Sequence, residues 1–407
     1  MFNKINLVNL IQKSILFILI LTPIFSIQAS LSLIIGGIIN NSTALTSPYI
    51  KGIKDLFFIF IIFVSFLLII KNFFINRVTL TFLFVIIICI LIPAYYYHRV
   101  DHTNILIFLS GIKWLMPFIL AVFLIGHINE KLLYKMGTIL FYLFIFNFFI
   151  QIVQLFFAGG WFGFNALGLS ARNPGIFFIP STAGVFTILV LFFSKFYMDK
   201  KLEKKIFFLI TISIFLTESG TAIGAYIIFI AIYKLKKSFL PLMPIVLTFL
   251  AIALVFSLGT LSDRPGLLKE SFGTRLIIFS EVLNKGTYFA KNFGYGTNTA
   301  LLIKNRYGLA SKINILDSWF SAVVVNLGLI NGFVIAILLI LFFIALTILK
   351  DKEKLIFLIM YSLFSVTTIF TESYPANLIF AVLLAYYIKP KKDNPETPNN
   401  PQQISNK

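Results

Sequence analysis

Twelve apolar stretches, separated by short polar loops, run through this 407-residue chain, and they are continuous rather than alternating. A bilayer-crossing helix needs roughly 20 apolar residues, with a range of about 17–25. Lipid offers no partner for an unpaired backbone group, so a spanning segment must be a helix or part of a closed barrel. A barrel strand alternates apolar and polar residues, which excludes it here. The expected fold class is therefore all-α: a polytopic transmembrane helical bundle of about 12 spans. The stretches run approximately over Ser14–Ile35, Asp55–Ile70, Val78–Tyr97, Ile105–Ile125, Thr138–Ala158, Ile176–Phe193, Ile206–Thr217, Ala222–Tyr233, Phe239–Gly259, Ile330–Leu349, Leu355–Phe370 and Leu378–Ile388.

Composition agrees. The chain is 59% hydrophobic and 12% charged, about half the charge of an ordinary soluble protein. A net charge of +19 would suggest nucleic acid in a soluble chain. Here the lysines gather in every second loop, as the positive-inside rule requires of cytoplasmic loops, so topology explains most of the excess without nucleic acid. Ser14–Ile35 is too long for the apolar core of a cleavable signal and is followed by more spans, so it reads as the first span. Lys4 and Lys13 then hold the amino terminus on the cytoplasmic side. Cys89 is the only cysteine, which rules out an intrachain disulfide and a cysteine metal site. The expected organisation is one membrane domain over 1–389 and a Pro- and Asn-rich, disordered cytoplasmic tail over 390–407.

Ile206–Thr217 and Ala222–Tyr233 are each short, with lysines at both outer ends. A hairpin turning at Glu218-Ser-Gly-Thr221 keeps both lysine groups on one side. Its turn would sit below the opposite membrane surface, where non-helical backbone is tolerated only against a protein cavity. The largest polar segment, 260–316, carries eight basic residues against three acidic ones, a net +5 (eight minus three). Its scattered apolar residues argue against disorder. Leu276-Ile-Ile-Phe279 with Val282 and Leu283 reads as an amphipathic helix. Phe293-Gly-Tyr-Gly-Thr-Asn298 reads as a tight turn. Gly328 and Gly332 predict a break between a slanted helix over Asp317–Asn326 and the following span.

The arginines break the charge pattern. Five of six, Arg99, Arg172, Arg264, Arg275 and Arg306, fall in the loops on the other side from the lysines, where orientation does not require them. Arginine grips phosphate with two parallel hydrogen bonds, so a phosphate-bearing substrate on the outer face is expected. The candidates for its diphosphate are Arg172, in the shaped loop Arg172-Asn-Pro-Gly-Ile-Phe-Phe-Ile-Pro180, then Arg275 and Arg264. Glu218 and Asp317 are candidate bases, since a carboxylate at membrane depth is costly and a default functional hypothesis. Each also has a structural reading, as a cap or an ion-pair partner. Glu372 is a weaker candidate. Lys113, mid-span beside Trp114, is expected to pair with a carboxylate inside the bundle. His98 and His102 beside Asp101 lack a third ligand, so no metal and no cofactor is expected. No phosphate-binding loop, zinc-protease or dinucleotide motif occurs.

Arg172-Asn-Pro-Gly-Ile-Phe-Phe-Ile-Pro180, the Glu218–Thr221 turn, Gly273-Thr-Arg275, Phe293-Gly-Tyr-Gly296, Asp317-Ser-Trp-Phe and Leu327-Gly-Leu-Ile-Asn-Gly332 together resemble the O-antigen polymerase and O-antigen ligase superfamily of bacterial inner membranes. Ligases typically carry His where this chain has Asp317, and often Arg in the hairpin turn. The polymerase is therefore the preferred expectation. The resemblance implies a metal-independent glycosyltransferase acting on undecaprenyl-diphosphate-linked oligosaccharides at the periplasmic face, with both termini cytoplasmic. Arg172 and Arg275, helped by Arg264, would hold the departing diphosphate, and Asp317 or else Glu218 would take the acceptor proton. The bilayer is the implied surrounding, and a polysaccharide chain-length regulator is a further candidate partner. The ligase, and an exporter of lipid-linked oligosaccharide or polysaccharide, are the alternatives.

Overall fold

The computed structural model describes residues 4–26, 48–72, 77–96, 105–156, 173–177, 180–217, 219–242, 280–284, 287–297 and 318–389. Among them all regular structure is helical. The principal helices are α1 (Lys4–Ile20), α2 (Pro48–Asn72), α3 (Arg77–Tyr96), α4 (Ile105–Leu124), α5 (Glu130–Phe156), α6 (Pro180–Phe196), α7 (Lys200–Thr217), α8 (Gly220–Lys234), α9 (Trp319–Ile348), α10 (Lys352–Thr367) and α11 (Ala376–Ile388). Four contain a segment long and apolar enough to cross a membrane: Gly52–Ile70, Ile105–Leu124, Glu130–Phe156 and Trp319–Ile348.

Within the described residues the expected apolar stretches are helical apart from a few terminal residues, chiefly Ile176–Phe177 and Thr368–Phe370, and several boundaries differ. The first helix starts earlier, at Lys4, and residues 27–35 of the expected first span lie outside the described set. The expected ninth span enters it only as a 3-10 segment, Lys237–Leu242, with the rest of Phe239–Gly259 outside. The tail over 390–407 and most of 260–316 are also outside.

Two short helices are central. α6 and α11 are buried around almost their whole circumference, and a helix that is apolar on all sides belongs in a bundle interior. α11 has 13 residues, so at 1.5 Å per residue it is only about 20 Å long. The other helices pack around this pair.

The two ends of the bundle differ. At one end gather the lysines of α5, α7, α8 and α10. Here the Tyr197 and Tyr387 hydroxyls both donate to Glu353 Oε1, the second at 2.6 Å, joining the end of α6 to α10 and α11. Burial, and next the adjacent Glu353 carboxylate, push the Tyr197 phenol well above its ordinary range, so it remains a donor. Lys195 pairs with Glu203 at 2.7 Å and lies over the rings of Phe207 and Tyr233. Lys352 Nζ donates to the Tyr233 carbonyl at 3.0 Å. At the opposite end, Tyr374 donates to the Ile18 carbonyl and Ser318 Oγ donates to the Ser365 carbonyl at 3.3 Å.

α9 is broken at Gly328, whose φ of 85° and ψ of 166° interrupt the helix, as the glycines predict. Before the break nearly every residue is buried. After it, Ile330–Ile348 is exposed on most sides, and only 6% of the most apolar window is buried. Thirty residues of straight helix would span about 45 Å, more than a hydrocarbon core of about 30 Å, so the break lets the buried part run at a different angle. It also releases backbone donors that the helix would have satisfied. These are taken up by the large loop: Leu329 N–H donates to the Thr287 carbonyl at 2.9 Å and Ile330 N–H to the Tyr288 carbonyl at 3.3 Å. The loop thus supplies the bonds of a missing helical turn, which burial demands.

A Cβ at Gly328 would stand 2.6 Å from the Phe289 backbone carbon and the Tyr288 oxygen. Gly328→Ala should therefore cost more than the roughly 1–2 kcal/mol of left-handed strain, because it also expels the loop. Gly224→Ala on α8 meets nothing within 4 Å and should be neutral or gain up to about 1 kcal/mol. Thermal unfolding of the purified chain should lower Tm for the first variant only; equal Tm values would contradict the loop-to-kink bonds.

Candidate functional site

Asp317, Glu218, Arg275, Arg172 and Arg264 all lie outside the described residues, as do Arg99, Arg306, His98, Asp101, His102 and Tyr307. The described residues beside three of them have specific partners, all at the end of the bundle opposite the lysines.

The segment that follows Arg172, Asn173–Phe177, is buried and held from three sides. Asn147, Gln151 and Gln154 are spaced i, i+4 and i+7 on α5 and so share one face. Gln151 Nε2 donates to the Asn173 carbonyl at 3.0 Å. Gln154 both donates to the Gly175 carbonyl at 2.9 Å and accepts from the Gly175 N–H at 2.8 Å. Asn147 Oδ1 accepts from the Ile176 N–H at 2.9 Å. Gly175 has φ +68°, a conformation that favours glycine. Gln151 also accepts from Ser213 on α7 at 2.6 Å, and Ser213 lies 3.3 Å from the Thr187 hydroxyl on α6.

One further bond ties this segment to the hairpin. The Asn173 N–H donates to the Leu216 carbonyl at 3.0 Å. A helix leaves its last carbonyls unpaired, and α7 ends at Thr217, so a loop N–H completes its terminus. The hairpin turn resumes at Ser219, which caps α8 by accepting from the Ala222 N–H. Gly184 on α6 lets this cap approach closely, with Ser219 Cβ 3.3 Å from where a side chain would begin.

The second glycine turn is Phe293–Thr297, lodged between α4 and α9. Asn326 Oδ1 accepts from the N–H groups of both Gly294 and Gly296, at 2.9 and 3.0 Å. From α4, Ser110 Oγ donates to the Gly294 carbonyl at 3.0 Å, and Thr297 donates to Ser110 Oγ at 3.1 Å. Phe293 is buried against Phe108, 5.5 Å between ring centres. The turn expected from the sequence is present, and it is set into the bundle.

The cap of α9 is Ser318, whose Oγ accepts from the Ser321 N–H. The capping role expected at Asp317 therefore falls to the next residue. Trp319 is stacked on Trp114, 6.1 Å between centres and 24° apart in plane, and is almost wholly buried. Lys113 Nζ meets Asp55 Oδ2 at 2.6 Å, the intramembrane carboxylate that the sequence required. Lys54 lies 3.8 Å from the same carboxylate and over the ring of Tyr374. Burial, partly opposed by a bond with Thr22, pushes the Tyr374 phenol up. Glu372 is half-buried in the turn before α11.

The amide stripe of α5 and the paired bonds of Asn326 were not expected from the sequence. Asn147, Gln151 and Gln154 at helical spacing in an apolar stretch were a readable signal, since polar side chains inside membrane helices are rare and conspicuous.

Gln151→Leu should remove the partner of both the Asn173 carbonyl and the Ser213 hydroxyl, at about 1–3 kcal/mol for each buried group left unpaired. Hydrogen–deuterium exchange should then accelerate over 173–177 while 287–297 keeps its protection. Unchanged exchange over 173–177 would show that the stripe does not hold that segment. No protein-family model, curated protein or solved structure matches this chain.

Proposed function

We propose that this chain is a bacterial inner-membrane glycosyltransferase of about twelve spans: an O-antigen or related surface-polysaccharide polymerase. It joins undecaprenyl-diphosphate-linked repeat units on the periplasmic side, away from the lysines. The observation that carries the reading is the bond from the Asn173 N–H to the Leu216 carbonyl, braced by the amide stripe. Arg172 is one residue before Asn173, and Glu218 is two after Leu216. The candidate guanidinium and the candidate carboxylate are thus close in sequence to the two ends of one bond, which supports the reading. A lipid diphosphate and a hydroxyl need such a pair.

In the proposed reaction the acceptor hydroxyl oxygen bonds to the donor's anomeric carbon, and the bond from that carbon to the diphosphate breaks. Arg172 and Arg275, with Arg264, stabilise the charge gathering on the leaving diphosphate. Asp317, or Glu218 in its place, accepts the hydroxyl proton. The exporter alternative needs charges along a path through the membrane, whereas Asp55 and Lys113 are closed on each other at 2.6 Å.

Deletion of the gene should leave single repeat units on the surface glycan core, visible on a gel. Complete loss of surface polymer with lipid-linked polymer accumulating would make the protein a ligase. Unpolymerised units trapped on the inner leaflet would make it an exporter. Arg172→Lys and Arg275→Lys should each abolish polymer at unchanged protein level, because a point charge does not replace the planar fork; normal polymer in either would remove that residue from the mechanism. Reporter fusions that put residues 260–316 in the cytoplasm would overturn the whole reading.

A further inference from the structure

A cleft of about 160 Å³ opens between α3 and the kink of α9. Ile88, Cys89 and Pro93 form one wall, Leu327 and Asn331 the other, and Ala290 of the large loop lines it as well. Asn331, the one amide in its lining, donates its Nδ2 to the Leu327 carbonyl at 2.9 Å, so that group is turned along its own helix. On the approach, Val85 and Leu91 of α3 are 49% and 60% exposed, so the cleft faces sideways out of the bundle.

Three observations identify the occupant. The walls belong to apolar helices, and at that depth the surroundings are hydrocarbon. The rim carries Tyr95 and Tyr288, 63% and 71% exposed, the aromatic residues that mark the level of lipid headgroups. Lys291, exposed and next in the chain to Ala290, adds a cation at that level. At about 160 Å³ the cleft has room for about five groups at roughly 30 Å³ each, a short stretch of one lipid chain.

We infer that the cleft is a lipid site, holding a short stretch of one acyl chain of an anionic phospholipid whose phosphate sits at Lys291. The bound chain would lie against the segment that bonds the α9 kink, bracing that junction from the membrane side. The site does not depend on the transferase reading.

The test uses the full chain in nanodiscs that contain phosphatidylglycerol with a photoactivatable diazirine in mid-chain. After illumination, adducts are mapped by mass spectrometry. The expected result is enrichment of about tenfold on residues 85–93 and 287–291 over Phe333–Ile348, which is equally open to bulk lipid. Cys89→Trp, which fills the cleft, should remove that enrichment and leave adducts on Phe333–Ile348 unchanged, a built-in control for folding. Lys291→Glu should reduce it with phosphatidylglycerol. Even labelling of both regions, or enrichment that survives Cys89→Trp, would overturn the site. Displacement by undecaprenyl phosphate at equal mole fraction, but not by unlabelled phosphatidylglycerol, would overturn the assignment to a phospholipid.

Discussion

The bonds from the large loop to the broken turn of α9 hold the two halves of this architecture together. Gly328 releases the Leu329 and Ile330 N–H groups, and Thr287 and Tyr288 accept them. An unpaired backbone donor in a dry interior costs about as much as a lost hydrogen bond or more. Helix and loop are therefore obligatory partners. The buried first part of α9 and the exposed second part keep their mutual angle only while the loop occupies the gap. The same loop then continues into the Phe293–Thr297 turn, which Asn326 and Ser110 fasten to α9 and α4.

The segment after Arg172 repeats this logic with different residues. Asn147 and Asn326 each give a side-chain carbonyl to the N–H groups of a glycine turn, and both are fully buried. Both turns sit at the end of the bundle opposite the lysines. Irregular backbone is expensive inside a bundle and persists where surrounding groups satisfy it. Here side-chain amides do so, and an apolar residue in their place would leave the turns' buried backbone groups unpaired.

Much of this was legible in the sequence. Continuous apolar runs imply helices, Gly328 implies a break, and Phe293-Gly-Tyr-Gly296 implies a turn, because each rests on local backbone physics. Lys113 implied a carboxylate partner inside the bundle, though not that Asp55 would be it, since spacing along one chain does not say which helices touch. The same limit hid Gln151 and Asn326, whose partners lie on distant segments. Ser318 took the cap expected of Asp317 because two adjacent residues of similar propensity compete, and geometry decides between them. The candidate site was legible as a charge pattern and a set of loops, while the amides that hold two of those loops became visible only with the helices in place.

The junction at Gly328 also has a hereditary side. Residues 287–289 must stay in register with 328–330, so insertions or deletions can accumulate in the loop only before or after that short stretch. Descendants of this sequence are then free to vary what lies beyond it. The fastening itself would persist as a fixed point between two diverging regions.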